Sequence, residues 1–471
     1  MSMPEAPIRS TAGRDLLLAI PFAFALRLGY LILSGRVIDM ADAIHYINMA
    51  KGFAGGDFVN FDENLPVLYS ILGALGFLAA EDWEWAFWGV SLASSTLLVV
   101  PIYFLAEELH GGRTARISVF FVGCWPWLVD YGSRIAPEAL AVTLWFGAVW
   151  LLYRGIQGSR WALAFAPLAF FALHLTRPEG TFLMLGSPLA GLILCYGQDR
   201  GHWVRLGVHT LIVGVLTAGY AYAMQEIVGT ATVNYRAPMS GDLLDYFRRG
   251  AVPLAETFIE LSFNVIPIML GPFLLMFFGV GFFRYSDSAR KPRLEAFILF
   301  FCLLQWAMAL ANFSPAPRYL MTVIVAFSLW SCKGVELLQH RGFYWRRHRW
   351  MRFLPVSIIG VSFLLGMADP IARQYLGAMS ATPVEYKVAG RWMAENLEPG
   401  VIFCRKPQVG YYADMPTIGP DVSHSPVELV DLAKEHGIRY FVYDKRYSAD
   451  ILPELRSMLD TSVEHEHYQL L

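Results

Sequence analysis

Between residues 15 and 370 the chain is a succession of apolar stretches, most of them close to the roughly 20 residues a helix needs to cross a bilayer. Inside hydrocarbon each backbone N–H and C=O must be satisfied within the segment itself, so such stretches fold as helices. They lie near 15–34, 84–109, 117–133, 137–153, 161–176, 180–197, 206–225, 256–283, 294–312, 319–339 and 353–370. The fold class that follows is a polytopic α-helical membrane protein with about eleven transmembrane helices. Only 16% of the residues are charged, against roughly 25% in a soluble domain, which excludes the soluble globular class. The 14 Trp and 22 Tyr suit aromatic belts at the two lipid–water boundaries. No small-residue cleavage site follows the first apolar segment, so no removable signal peptide is expected.

Loop charge sets the orientation. With the N-terminus in the cytoplasm, the cytoplasmic connections are His110–Arg116, Arg154–Arg160, Gln198–Arg205, Arg284–Arg293 and His340–Arg352, and each is basic. The opposite loops are poorer in Lys and Arg and include the acid-rich stretch Asp39–Asp82, as the positive-inside rule requires. The apolar run 65–80, bounded by Pro66 and by Glu81-Asp82, is short for a span and is assigned to an interfacial or re-entrant element. Counting it as a span would place the arginine-rich loop 340–352 outside. Residues 371–471 then lie outside the cell. Their charges return and their apolar runs shorten, with helices expected over Val384–Leu397 and Pro426–His436 and strands over Val401–Cys404 and Ile438–Tyr443. The chain thus divides into a transmembrane domain, 1–370, and a small extracytoplasmic α/β domain, 371–471.

In the first outer loop Ala43, Ile47, Ala50 and Ala54 recur at helical spacing, with Tyr46 and Phe53 beside them. Asp42, His45, Asn48 and Lys51 take the other face, the pattern of a helix lying in the membrane interface. Asp42 stands at its start. It either faces a cavity roofed by the loop or caps the helix, and spacing does not separate the two; the same holds for Asp39. Glu138 follows Pro137 at the start of the fourth span, a common helix opening favoured by the macrodipole. Thr176-Arg177-Pro178-Glu179 joins the fifth and sixth spans, and Arg318-Tyr319 opens the tenth. Singly, each Arg could snorkel to lipid headgroups. Arg27, inside the first span, demands a partner or a watered cavity.

Together Asp42, Glu138, Arg177, Glu179 and Arg318 gather at one membrane face. A carboxylate can take a proton from a hydroxyl nucleophile and Arg can grip a phosphate, so the set suits transfer of a group from a phosphate carrier to a hydroxyl or amine. None of the nucleotide-binding or protease motifs is present, and no C-x-x-C pair links the five Cys.

In these residues the chain resembles the GT-C superfamily of lipid-carrier-dependent glycosyltransferases, and within it the protein mannosyltransferase and aminoarabinose transferase branch. Asp42-Ala43-Ile44-His45-Tyr46 looks like that family's first-loop motif, and Pro66-Val67-Leu68-Tyr69 like the Pro-Tyr segment that follows it. Glu138 matches the position of the second acid, and Leu175–Gly180 and Pro317–Leu320 look like recurrent segments. The likeness spans roughly residues 15–340. Ala43 stands where many members carry another acid, and Asn64-Leu65 where some carry a Lys. The resemblance implies a polyprenyl-phosphate sugar as donor, inversion at the anomeric carbon, Asp42 as general base and Glu138 as an orienting acid. Arg318 then carries more of the carrier phosphate, with Tyr319, Arg177, Glu179, Tyr46, His45 and Tyr69 as further binding residues. The resemblance fixes no cofactor, and a divalent metal is compatible with it. Membrane lipids and a lipid, glycan or protein acceptor are the expected partners, in a bacterial or archaeal cell membrane, and nucleic acid is not among them. The other classes are a flippase or transporter of lipid-linked sugars, and a polymerase or ligase of surface polysaccharides. The lack of an internal span repeat argues against transport.

Overall fold

The computed structural model describes residues 12–56, 65–228, 251–284, 290–311, 317–341, 383–419 and 426–443, with 357 and 360 singly. The stretch 353–370 therefore lies outside the described residues apart from those two. The chain divides into two compact units, Met1–Ile32 with Tyr46–Asp369, and Leu33–His45 with Pro370–Leu471.

The larger unit is helical: α1 Ala12–Leu33, α2 Asp42–Gly55 (shared with the other unit through its first four residues), α3 Leu68–Ala80, α4 Trp83–Leu97, α5 Val99–His110, α6 Gly112–Cys124, α7 Pro126–Gly132, α8 Glu138–Ile156, α9 Arg160–His174, α10 Glu179–Cys195, α11 Arg200–Val228, α12 Ala251–Ile259, α13 Ile266–Phe282, α14 Pro292–Ala311 and α15 Met321–Arg341. A π-helical turn, Glu260–Val265, joins α12 to α13, and a 3₁₀ turn, Pro317–Leu320, leads into α15. Six helices among the described residues are long and apolar enough to cross a membrane, or seven if the pair bent by 104° at Gly271 counts as one span. Helices α3, α9 and α10 are apolar but shorter. The 13 residues of α3 rise only about 20 Å, less than a hydrocarbon core.

One expected span breaks. The stretch 117–133 is two helices, because Trp125 is extended (φ −66°, ψ 124°) ahead of Pro126. A residue before proline is driven out of the helical region, and the proline ring then opens the next helix. The break leaves carbonyls at the end of α6 without intrahelical donors. Arg27, fully buried in α1, supplies them: Nη1 donates to Gly123 O at 2.6 Å and to Ala23 O at 3.0 Å, and Nε to Ser95 Oγ at 2.8 Å. Among the described residues the intramembrane charge is thus met by main-chain oxygens and a hydroxyl.

The faces of α2 follow its spacing except at Ala54, which is exposed near the helix end. Ala43, Tyr46, Ile47 and Ala50 are buried, while His45, Asn48 and Lys51 are exposed.

In the smaller unit, α16 Val384–Asn396, β1 Val401–Cys404, α17 Gln408–Ala413, β2 Thr417–Ile418, α18 Pro426–His436 and β3 Ile438–Val442 form a three-stranded sheet with its helices. All pairings are parallel, in the order β2-β1-β3, with Ile402 opposite both Thr417 and Tyr440. Parallel strands need crossovers, and α17 and α18 provide them. Ile402, Cys404, Tyr386, Met393 and Val409 make one side of the core; Phe403, stacked on Phe441, makes the other.

Candidate active site

Two helices of the larger unit open in the same way. Pro137 precedes Glu138 at the start of α8, and Pro178 precedes Glu179 at the start of α10. Proline fits the first turn because its missing N–H would be unbonded there, and the positive end of the macrodipole favours a carboxylate. The connection from α9 turns tightly, with the N–H groups of both Thr176 and Arg177 bonded to Leu173 O. It brings Arg177 between the two acids.

Arg177 donates from Nη1 to Glu138 Oε1 at 2.7 Å, and from Nη2 and Nε to the two oxygens of Glu179 at 3.0 and 3.1 Å. Glu138 is 3% and Glu179 4% exposed, so this is a buried, bidentate arrangement. Burial works against the Arg177 charge, yet Glu179 and Glu138 outweigh it and hold the guanidinium well above its ordinary value. Arg318 is placed differently. Its Nη1 is 3.9 Å from Glu138 Oε1 and its Nη2 donates to the Tyr319 hydroxyl at 3.3 Å. Both guanidinium groups lie over the Tyr319 ring, at 5.4 Å for Arg177 and 5.2 Å for Arg318.

Glu138, Arg177, Glu179, Arg318 and Tyr319 line one small cavity with Trp145, Gln305 and Thr322. Its volume is about 30 Å³, room for a water or a polar group of similar size. Four buried polar atoms of these lining residues lack a hydrogen-bond partner among the described residues: Glu138 Oε2, Arg318 Nε, Trp145 Nε1 and Thr322 Oγ1. An acceptor, two donors and a hydroxyl left open at one place make a receptor for a polar group, since buried polar atoms are otherwise paired. Gln305 instead donates to Tyr319 O at 3.1 Å, fixing the turn that carries Arg318.

Tyr69 and Tyr46 do not line this cavity; they meet edge-to-face at 5.3 Å in a buried aromatic pair. The Tyr69 hydroxyl bonds Ser91 Oγ at 2.7 Å, and Ser91 donates to Ala136 O at 3.4 Å, two residues before Glu138. Leu68 N donates to Leu175 O at 2.8 Å, so the Pro66–Tyr69 segment braces the turns on which Glu138 and Arg177 stand. His45 is exposed on α2. Asp42 is the first residue of α2, half-buried, with Ala41 ahead of it at the capping position; it belongs to the smaller unit. Trp145, Gln305 and Thr322 are the lining residues that spacing missed. Trp145 stands two turns from Glu138 and Thr322 one turn from Arg318, whereas Gln305 comes from α14 and nothing in its neighbourhood in the sequence marks it.

A divalent cation does not fit between Glu138 and Glu179, where the Arg177 guanidinium already bridges the carboxylates.

Residues 64–222 match the model of the family described as dolichyl-phosphate-mannose-protein mannosyltransferase. That segment carries Tyr69, Glu138, Arg177 and Glu179; Asp42 and Arg318 lie outside it. No curated protein sequence matches. Among solved structures, the chain is similar to the oligosaccharyltransferase of Archaeoglobus fulgidus in its apo form, with 12% identity, a TM-score of 0.62, and 93% of this chain covering 70% of that one. The oligosaccharyltransferase AglB from the same organism, solved with an inhibitory peptide and a dolichol-phosphate, gives 10% identity and a TM-score of 0.59, over 92% of this chain and 69% of that one. ArnT from Cupriavidus metallidurans bound to undecaprenyl phosphate gives 15% identity and a TM-score of 0.58, over 92% of this chain and 90% of that one. With six helices among the described residues long and apolar enough to cross a membrane, the chain is a multi-pass membrane protein. Its residues 64–222 bear the sequence likeness to the mannosyltransferase family, and its fold is shared with ArnT over nearly the whole length of both.

Proposed function

We propose that this protein transfers a sugar from a polyprenyl-phosphate donor to an acceptor hydroxyl or amine at the outer face of the membrane, with inversion at the anomeric carbon. The acceptor oxygen or nitrogen attacks the anomeric carbon, the bond to the carrier phosphate breaks, and the phosphate leaves with the electron pair. Asp42 takes the acceptor's proton. Arg318 holds the charge that grows on the phosphate, as a preorganised donor does in other transfers. Glu138 orients the acceptor.

One observation carries the reading: at the Glu138 cavity, Arg177 is committed to two buried carboxylates, while Arg318 keeps an unbonded Nε beside an unbonded Glu138 oxygen. Of the two cations, Arg318 has donors left for an incoming phosphate. The carriers bound to the fold's relatives, a dolichol-phosphate in AglB and undecaprenyl phosphate in ArnT, support the same chemistry. The finer topology belongs to this proposal too: eleven spans, the N-terminus in the cytoplasm, residues 371–471 outside, in a bacterial or archaeal cell membrane.

The test uses the full chain in lipid nanodiscs with a panel of undecaprenyl-phosphate monosaccharides labelled in the sugar. Transfer releases undecaprenyl phosphate, and Asp42→Asn slows it by about 10²- to 10⁴-fold while expressing normally, because Asn keeps the shape and loses the base. In a parallel assay in sealed proteoliposomes, donor recovered unchanged in the opposite leaflet would make the protein a flippase, and wild-type transfer by Asp42→Asn would remove Asp42 from the chemistry.

A further inference from the structure

Residues 36–40, between α1 and α2, belong to no helix or strand; Met40 O accepts from Ala43 N at the start of α2, and other main-chain groups find partners far along the chain. Side chains of the smaller unit meet them. Lys387 Nζ donates to Arg36 O at 2.7 Å, the Tyr412 hydroxyl accepts the Ile38 N–H at 3.0 Å, and Gln408 Nε2 donates to Asp39 O at 3.2 Å. Asp42 follows three residues later. All these residues belong to one unit.

Gln408 and Tyr412 stand one turn apart on α17 and therefore on one face of it, and Lys387 comes from α16. The two helices are fixed to each other. A Cβ at Gly390 would lie 2.5 Å from Val409 O and 2.6 Å from Tyr412 Cβ, so the approach tolerates glycine alone. Lys387 Nζ also lies 5.1 Å above the Tyr412 ring, joining two of the three holding groups. A second observation concerns the held segment. Arg36 has φ +50°, a left-handed conformation that disfavours a residue with a Cβ and persists where surroundings impose it. Its carbonyl is the one that Lys387 grips. Ile38, whose N–H meets Tyr412, is 1% exposed, so water offers no substitute donor or acceptor there.

We propose that the smaller unit is a positioning clamp: Lys387, Gln408 and Tyr412 fix the main chain at 36–39 and thereby the first turn of α2, where Asp42 stands. This rests on the reading of Asp42 as general base, and it gives the C-terminal domain a part in the rate of transfer beyond shaping acceptor access. The three side chains touch no substrate in this scheme; they act through the backbone that carries the base.

Two variants test it in the full-length protein in nanodiscs. Tyr412→Phe keeps the ring that Lys387 covers and removes only the hydroxyl. Gln408→Met keeps the length and removes only the bond to Asp39 O, since Gln408 Oε1 is buried without a partner among the described residues. Hydrogen–deuterium exchange over peptides spanning 34–45 should quicken by about 5- to 100-fold in either variant, as buried main-chain groups lose their partners. kcat for the donor found by the panel should fall about 10- to 100-fold, because a small misplacement of a reacting group is expensive. KM for that donor and binding of undecaprenyl phosphate alone should stay within about twofold. A general structural defect would lower binding and thermal stability along with kcat. Unchanged exchange in both variants overturns the clamp, and so does quickened exchange at an undiminished kcat. Wild-type transfer by Asp42→Asn would instead sink the base, while the exchange of Tyr412→Phe still reports on the clamp.

Discussion

Arg177 and Arg318 have the same side chain at one cavity and opposite assignments. Three N–H groups of Arg177 are spent on Glu138 and Glu179, both almost fully buried. Lysine presents a point charge and cannot reproduce the fork, so Arg177→Lys leaves one carboxylate uncompensated. Breaking a buried pair costs about 3–5 kcal/mol, and the expected result is a clear drop in the unfolding temperature whether or not donor is present. Arg318 sits 3.9 Å from a carboxylate that already has Arg177. Arg318→Ala should therefore leave the unfolding temperature within about 2 °C and weaken undecaprenyl phosphate binding by about tenfold or more, the loss expected for a charged hydrogen bond. Titrating both variants with undecaprenyl phosphate and melting them side by side checks the assignment. If Arg177→Lys melts like the wild type and Arg318→Ala does not, the roles are exchanged.

At the scale of elements, the short turn between α9 and α10 governs the cluster. A Cβ on Gly180 would collide with the main chain of Leu173 and His174, at the end of the preceding helix. Gly180 is therefore what lets α10 start close enough to α9 for Glu179 to reach Arg177. Gly180→Ala must push α10 away, and neither neighbour is a flexible side-chain end that can swing aside. We expect a loss of about 1–3 kcal/mol, the usual cost of overpacking, with transfer activity falling further than stability because Glu179 moves with the helix. A variant that melts and transfers like the wild type would show that the turn has slack. The break between α6 and α7 is the other decisive element. Trp125-Pro126 predicts it in outline, but the donors that make it tolerable come from Arg27, nearly a hundred residues earlier in the chain.

Across the whole molecule, helix α8 separates two kinds of chemistry. Glu138 is its first residue; Arg154, in its last turn, pairs with Glu108 at 2.8 Å. Sixteen residues of helix put these groups about 24 Å apart. Arg116 with Asp15, and Arg284 with Glu295, are further ion pairs at helix ends in loops that charge bias assigns to the cytoplasm. In the proposed topology the cavity at Glu138 faces outward. Reporter fusions should place the loop His340–Arg352 in the cytoplasm and residue 471 outside. A C-terminus protected on the cytoplasmic side would overturn the span count and strand the proposed site on the wrong face.

The sequence by itself determined the membrane class, most helix positions, most of the buried and exposed faces of α2, and the candidates Glu138, Arg177, Glu179 and Arg318. Apolar length and helical period are local properties, and hydrocarbon leaves the backbone one way to satisfy itself. The division of labour among those candidates was decided only in three dimensions. Nothing in Thr176–Glu179 or Arg318–Tyr319 says that one arginine spends its donors on two acids and the other keeps its Nε open. That depends on which helix starts meet, a matter of long-range packing. That Tyr46 and Tyr69 form a buried edge-to-face pair was likewise not legible, because an aromatic ring in a short motif carries the same signal for stacking as for binding. The hold of Lys387, Gln408 and Tyr412 on residues 36–39 was invisible for the same reason: side chains some 370 positions away bond the backbone there.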